Sequence, residues 1–299
     1  MVSLEGVPPG APPLRLRGRT LAGPLVMAVV NRTPDSFYAA ARHDEAGARE
    51  AVARAADEGA DLVDLGGVRA GRGPDVSVAD EIERIVPLVE HVRGAHPEVL
   101  VSVDTWRAEV AEAAADAGAD LVNDTWAGHD PRLVEVAAER GLGVVCSHTG
   151  GAAPRTDPFR VAYGDGLDGV VDDVVATLAA EARRATDLGI DPASVLVDPT
   201  HDFGKNTWHS LHLLRRTSAI VALGFPVLMA LSRKDFVGET LGLGVDERLE
   251  GTLAATAVAA WLGATVFRAH DVAATRRVLD LVASVRGERA PVSAVRGLA

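Results

Sequence analysis

Eight short apolar runs punctuate the chain, and each stops at a polar, charged or glycine residue. The run 25–30 stops at Asn31, and 62–65, which holds Asp64, stops at Gly66-Gly67. The run 99–103 stops at Asp104, 121–122 at Asn123-Asp124, and 143–146 at Ser147-His148. The run 195–197 stops at Asp198, 227–231 at Ser232-Arg233-Lys234, and 265–267 at Arg268, with His270 close behind. Helical stretches lie between them. Asp44 can cap a helix to about residue 58 that Gly59 ends, and the stretch 106–117 ends at Gly118. Later helices end near Gly141, Gly189 and Gly263. Gly-Ala-Asp-Leu-Val occurs at 59–63 and again at 118–122, with a looser echo at 263–266, as a repeated helix-to-strand connection would. Eight strands alternating with helices predict an α/β chain closed into one (β/α)8 TIM barrel. In that fold the C-terminal strand ends converge on one site. An open doubly wound sheet fits less well, because no GxGxxG follows the first strand.

The barrel is expected over 21–286, after a Pro/Gly-rich lead-in over 1–20 that reads as loose, and before a peripheral tail over 287–299. The irregular stretch 149–167 reads as a loop serving the site. A length of 299 residues suits one barrel, and 47% hydrophobic with 24% charged residues is the composition of a soluble globular protein. The net charge of −12 argues against a nucleic-acid surface. No apolar run approaches the roughly 20 residues that span a bilayer, and the N-terminal stretch lacks the apolar region of a secretory signal. The single cysteine, Cys146, lies in an apolar run and reads as a buried, inert thiol. A reducing cytoplasm, with no membrane or nucleic-acid partner, fits these features.

The strand ends carry the chemistry. Asp104, Asn123 and Asp198 offer acceptors that suit a heterocycle with a donor-rich, guanidine-like edge. Lys234 supplies a cation, while Arg268, His270 and the amide of Asn31 can engage phosphate. An acidic floor beside a basic flank points to a nitrogen heterocycle bearing a phosphate or diphosphate. No Ser-His-Asp or Cys-His arrangement stands out. His209 and His212 are spaced as a metal pair on a helix but lack a third ligand, so they read as surface histidines. Trp106 and Trp126 read as packing residues. Arg69 and Arg72 belong either to a solvated loop or to an anion site, and His201 either donates to a ligand or caps the next helix.

These residues carry a family resemblance. Asn31-Arg32-Thr33-Pro34-Asp35-Ser36-Phe37 resembles the first signature of the dihydropteroate synthases. Ser102-Val103-Asp104-Thr105, Asn123-Asp124, Asp198-Pro199 with Phe203-Gly204-Lys205, Ser232-Arg233-Lys234 and Arg268-Ala269-His270-Asp271 follow in that family's order, over about residues 24–285. The resemblance implies a TIM-barrel transferase that joins a hydroxymethyl-dihydropterin pyrophosphate to p-aminobenzoate, releasing pyrophosphate, on the route to folate. It implies pterin contacts from Asp104, Asn123, Asp198 and Lys234, pyrophosphate contacts from Asn31, Arg268 and His270, and Mg2+ on Asn31. It gives catalytic roles to Lys234 and Asp35, aminobenzoate contacts to Phe203 and Ser232, and a homodimer through outer helices. The chemistry it implies is dissociative, with pyrophosphate leaving before the aniline nitrogen attacks. A methyltetrahydrofolate-dependent methyltransferase of the same superfamily fits less well, because Lys234, Arg268 and His270 suit pyrophosphate chemistry.

The chain also departs from the family pattern. The second loop, ordinarily Gly-Gly-Glu-Ser-Thr-Arg-Pro-Gly, reads Gly66-Gly67-Val68-Arg69-Ala70-Gly71-Arg72-Gly73. Thr200-His201-Asp202 replace a glycine-bearing stretch before Phe203, so side chains are expected where the family keeps backbone space. Ser147 replaces a methionine, Ala230 a glycine and Arg32 a small apolar residue. The pattern resembles a diverged second synthase-like paralogue of actinobacterial type. Two readings follow: a dihydropteroate synthase, and an inactive or regulatory pterin-binding paralogue.

Overall fold

The computed structural model describes residues 7–32, 44–156, 161–164 and 166–296. A hairpin of β1 (Leu14–Leu16) and β2 (Arg19–Leu21) leads into β3 (Leu25–Asn31), α1 (Glu45–Asp57), β4 (Leu62–Gly66) and α2 (Val78–Ala95). Next come β5 (Leu100–Asp104), α3 (Ala108–Ala117), β6 (Leu121–Asp124), α4 (Arg132–Arg140), β7 (Gly143–Ser147) and α5 (Asp168–Asp187). Then follow β8 (Val195–Asp198), α6 (Thr207–Arg215), α7 (Thr217–Val221), β9 (Leu228–Met229), α8 (Asp235–Leu241), α9 (Leu249–Trp261), β10 (Val266–Ala269) and α10 (Val272–Val285). The eight strands β3 to β10 pair in parallel in the order β8-β7-β6-β5-β4-β3-β10-β9. A parallel bridge between Val197 and Val227 joins the two ends, so the sheet closes as the (β/α)8 barrel the sequence predicts.

Helix ends follow the punctuation. The Asp44 carboxylate accepts from the Gly47 N–H at 2.8 Å at the start of α1. Ser77 and Asp80 form a capping box on α2. Gly118 ends α3 in the left-handed conformation, φ 105°, where a side chain would be strained.

The two-residue strand period divides each strand between core and helices. Leu25, Met27, Leu62, Leu100, Leu121, Val145, Leu196, Leu228 and Val266 form one buried cluster inside the N-terminal half of the barrel. Their neighbours Val26, Ala28, Val63, Val101, Val144, Val195 and Phe267 join the larger cluster beneath the helices. The lead-in differs from the loose segment expected. Leu14 and Leu16 of the hairpin are 0% and 3% exposed and complete the inner cluster, so β1 and β2 plug the bottom of the barrel. Burying each leucine contributes about 1.5–3 kcal/mol, enough to order a segment whose composition reads as coil. Above the apolar layer the same inward positions become Asp64, Ser102, Asn123, Ser147, Asp198 and Arg268, and they lead into the mouth.

Candidate functional site

The floor is built around Asp64, which is fully buried. Its Oδ1 accepts from the Ser102 hydroxyl at 2.6 Å, and its Oδ2 accepts from Asn123 Nδ2 at 3.1 Å and Arg268 Nε at 2.6 Å. Arg268 Nη2 donates onward to Asp104 Oδ2 at 2.9 Å, and the Thr125 hydroxyl donates to Asp104 Oδ1 at 2.9 Å. The acidic floor and basic flank are therefore one network joined by Arg268. Burial opposes the Arg268 charge, but Asp64 and Asp104 outweigh it and hold the guanidinium above its ordinary value. Burial pushes Asp104 up to about 6, with Arg268 pulling the other way. Asp198 accepts from the Thr200 N–H at 2.7 Å and is likewise pushed up to about 6 by burial, against that N–H and Lys234.

Above the floor opens a cavity of about 240 Å3. Asn31, Asp104, Phe203, Ser232, Lys234, Arg268 and His270, all singled out in the sequence, line it together. Asn123 and Asp198 lie beneath it, 2% and 3% exposed. Asp35 lies outside the described residues. Lys234 Nζ donates to the His201 carbonyl at 2.9 Å and sits 4.3 Å over the Phe203 ring, a cation–π contact. Phe203 meets Trp126 edge-on at 5.2 Å, which makes Trp126 a packing residue. The His270 N–H donates to Ser232 Oγ at 3.2 Å, and the ring Nδ1 lies 3.0 Å from the same oxygen. Burial lowers His270 to about 4, with Arg268 adding to the effect, so the imidazole is neutral at pH 7. A Cβ on Gly66 would lie 2.5 Å from Asn31 Oδ1, so a glycine is needed for this amide to stand at the rim.

The loop after β8 differs from expectation. Thr200, Asp202 and Gly204 all keep positive φ, at 50°, 70° and 64°. The Asp202 side chain, expected where the family keeps backbone space, borders the cavity, but its carboxylate is spent on structure. Its Oδ2 accepts from the N–H of Asp235 at 2.6 Å, capping α8, and its Oδ1 accepts from the Ser210 hydroxyl at 3.1 Å. The buried Lys205 ammonium donates to the carbonyls of His148, Phe203 and Thr200 at 2.7, 2.9 and 3.2 Å and to His148 Nδ1 at 2.9 Å. It clamps the loop, and burial lowers it to about 7. His201 is fully buried against Phe236, and neither ring nitrogen has a partner among the described residues. It does not cap α6, since Asn206 takes that role.

The other candidates separate cleanly. Arg69 borders the cavity and Arg72 does not. Arg233, between Ser232 and Lys234, makes a two-pronged ion pair with Asp271 at 3.0 Å and anchors the turn. His212 pairs with Asp168 at 2.8 Å, and His209 packs on Tyr163. Cys146 is buried, and burial pushes its thiol up. Asp64 and Lys205 were not assigned roles from sequence. Asp64 carried a signal: a charge interrupting an apolar strand at an inward position.

The family described as pterin binding enzyme matches residues 27–270. The chain is 61% identical over 287 residues to "Inactive dihydropteroate synthase 2" of Mycobacterium tuberculosis, covering 95% of this chain and 90% of that protein. It is 36% identical over 266 residues to the dihydropteroate synthase of Escherichia coli K12, covering 88% and 92%. The Yersinia pestis dihydropteroate synthase with a sulfonamide drug superposes with a TM-score of 0.84 at 33% identity, over 93% of this chain and all of that one. With a matching barrel, an ordered set of strand-end residues and these relatives, the chain belongs to the pterin-binding enzyme family and is dihydropteroate synthase-like.

Proposed function

We propose that the barrel mouth binds a reduced pterin carrying a diphosphate, and that condensation with p-aminobenzoate is weak or absent. The observation that carries this reading is the split between floor and loops. Asp104, Asn123, Asp198 and Lys234 stand together, with Arg268, His270 and Asn31 at the rim. The loop at 66–73 has no Glu-Ser-Thr, and the loop at 200–205 is tied down by Asp202 and Lys205. Relatives 61% identical carry the word inactive in their names.

Asp198 and Asp104 accept from the donor-rich edge of the heterocycle, and Lys234 faces its carbonyl side. Arg268 and Asn31 hold the diphosphate, and neutral His270 donates a hydrogen bond to it. Among the described residues no cluster of three His, Cys, Asp or Glu side chains could hold a metal, and Asn31 is the donor at the rim. Mg2+ would be held by Asn31 together with the diphosphate and would supply the charge that offsets the leaving group. Lys234 and Asp35 are the residues assigned to catalysis if turnover occurs. The second reading, an active synthase, is favoured by Phe203, Ser232 and Lys234 lining one cavity of about 240 Å3.

Among the described residues no helix is long and apolar enough to cross a membrane, and we place the protein in the cytoplasm. A homodimer through α9 and α10 is part of the same reading. α9 is mostly apolar, and Val258, Leu281 and Val285 are 46%, 66% and 59% exposed on these adjacent helices. The test is calorimetry with a pterin pyrophosphate and Mg2+, followed by turnover with p-aminobenzoate. Tight binding with little turnover supports the proposal. Turnover at the rate of an ordinary synthase supports the second reading instead.

A further inference from the structure

Asn123 and Asp64 meet in the floor at 3.1 Å, Nδ2 to Oδ2, and both are buried. Both Asp64 oxygens already accept, Oδ1 from the Ser102 hydroxyl and Oδ2 from Arg268 Nε, so Asp64 faces Asn123 as an acceptor. The end of the Asn123 amide that faces Asp64 must therefore be its nitrogen. Asp64 in turn cannot shift away, because Ser102 Oγ holds its other oxygen at 2.6 Å and Arg268 Nε holds the shared one at 2.6 Å. With its nitrogen tethered, Asn123 can offer a ligand its carbonyl oxygen and one remaining N–H in a single fixed order. We infer that Asp64 is a positioning residue: it touches no ligand, and it fixes the donor–acceptor order with which Asn123 reads the heterocycle.

This rests on the pterin-binding reading and deepens it to a specificity. A 2-amino group donates where a 2-oxo group accepts. A buried edge of fixed order accepts one and leaves the other unpaired. The wild-type protein should then bind pterin at least tenfold more tightly than lumazine, its 2-oxo counterpart.

The experiment measures both affinities by fluorescence titration for wild type, Asp64→Asn and Ser102→Ala. In Asp64→Asn the residue at 64 can donate as well as accept, so the Asn123 amide is free to turn. The pterin-to-lumazine ratio should fall toward one, beyond any general loss of affinity. Ser102→Ala removes a floor hydrogen bond without changing what Asp64 can accept, and its ratio should stay near wild type. An unchanged ratio in folded Asp64→Asn, or an equal fall in both variants, overturns the inference and leaves Asp64 a structural residue.

A second measurement needs no variant at position 64. In the nuclear magnetic resonance spectrum of the wild type, the Asn123 side-chain amide, assigned by its loss in Asn123→Ser, should show one downfield proton protected from exchange. Two rapidly exchanging protons at ordinary shifts would overturn the inference. A wild-type protein that binds neither pteridine defeats the pterin-binding reading, while the amide spectrum still decides the order imposed by Asp64.

Discussion

Asp64 and Arg268 lie 204 residues apart in the chain and meet inside the barrel, Nε to Oδ2, at 2.6 Å. One comes from the second barrel strand and the other from the last, and the closed sheet is what brings them together. The contact ties the buried floor to Arg268, the group at the rim proposed to hold a diphosphate. Losing either partner would strand a charge in a site with little access to water.

Arg268→Ala is expected to destabilise the fold by about 3–5 kcal/mol near neutral pH, the cost of an uncompensated buried charge. Asp104 already has its proton affinity raised to about 6. It takes up a proton more readily without Arg268, so the penalty should shrink at pH 5. Urea unfolding at pH 5 and pH 8 checks this, and an equal penalty at both would contradict it. Diphosphate affinity measured on the same variant should weaken by about 1.5–3 kcal/mol, one charge-assisted contact.

Pterin affinity should rise as the pH is raised from 5 to about 7.5, following Asp104 and Asp198, both near 6. Their folded values lie above the unfolded one. Each therefore costs stability once ionised, and that cost develops as pH rises from about 4 through 6. Binding of a donor-rich edge needs the ionised form, so ligand affinity moves opposite to this part of the stability. Asp198→Asn should weaken pterin binding by about 1–3 kcal/mol, because one acceptor becomes a donor. It should leave diphosphate binding near wild type. Calorimetry with each ligand across pH tests both statements.

His201→Phe should stabilise the protein by about 1–3 kcal/mol, since both ring nitrogens are buried without a partner among the described residues. Burial lowers His201 to about 3. The unfolded chain therefore binds a proton that the folded one refuses, and stability from this group is lost as pH falls from about 6.5 toward 3. The variant should show a shallower loss of denaturation midpoint across that window. A midpoint unchanged at every pH would mean that water satisfies the imidazole.

Asp202 separates two opposing effects. Its carboxylate caps α8 and accepts from Ser210, while its φ of 70° strains any side chain. Asp202→Ala loses the cap, worth about 0.5–2 kcal/mol, and keeps the strain. Asp202→Gly loses the cap but recovers about 1 kcal/mol of strain. Thermal unfolding should place the alanine variant below the glycine variant, and the reverse order would show that the strain is not there.

Much of this molecule was legible in one dimension. Eight apolar runs with abrupt polar ends are a local pattern, and the helix stops at Gly118 and Gly141 are local chemistry. They determine the barrel, and the barrel brings Asn31, Asp104, Ser232, Lys234, Arg268 and His270 to one mouth. What the chain alone did not disclose depends on partners remote in sequence. Leu14 and Leu16 form a hairpin because the open bottom of the barrel offers them an apolar surface, which nothing in a Pro/Gly-rich lead-in announces. Asp202 reads in sequence only as a side chain where the family keeps backbone space, but the start of α8, 33 residues on, offers its N–H groups and takes the carboxylate. Lys205 sits among carbonyls that only the folded loop assembles. Periodicity and punctuation set which faces are buried, because those are properties of neighbouring residues. The direction in which a buried polar side chain spends its hydrogen bonds was decided by tertiary structure, because only there does each donor meet its acceptor.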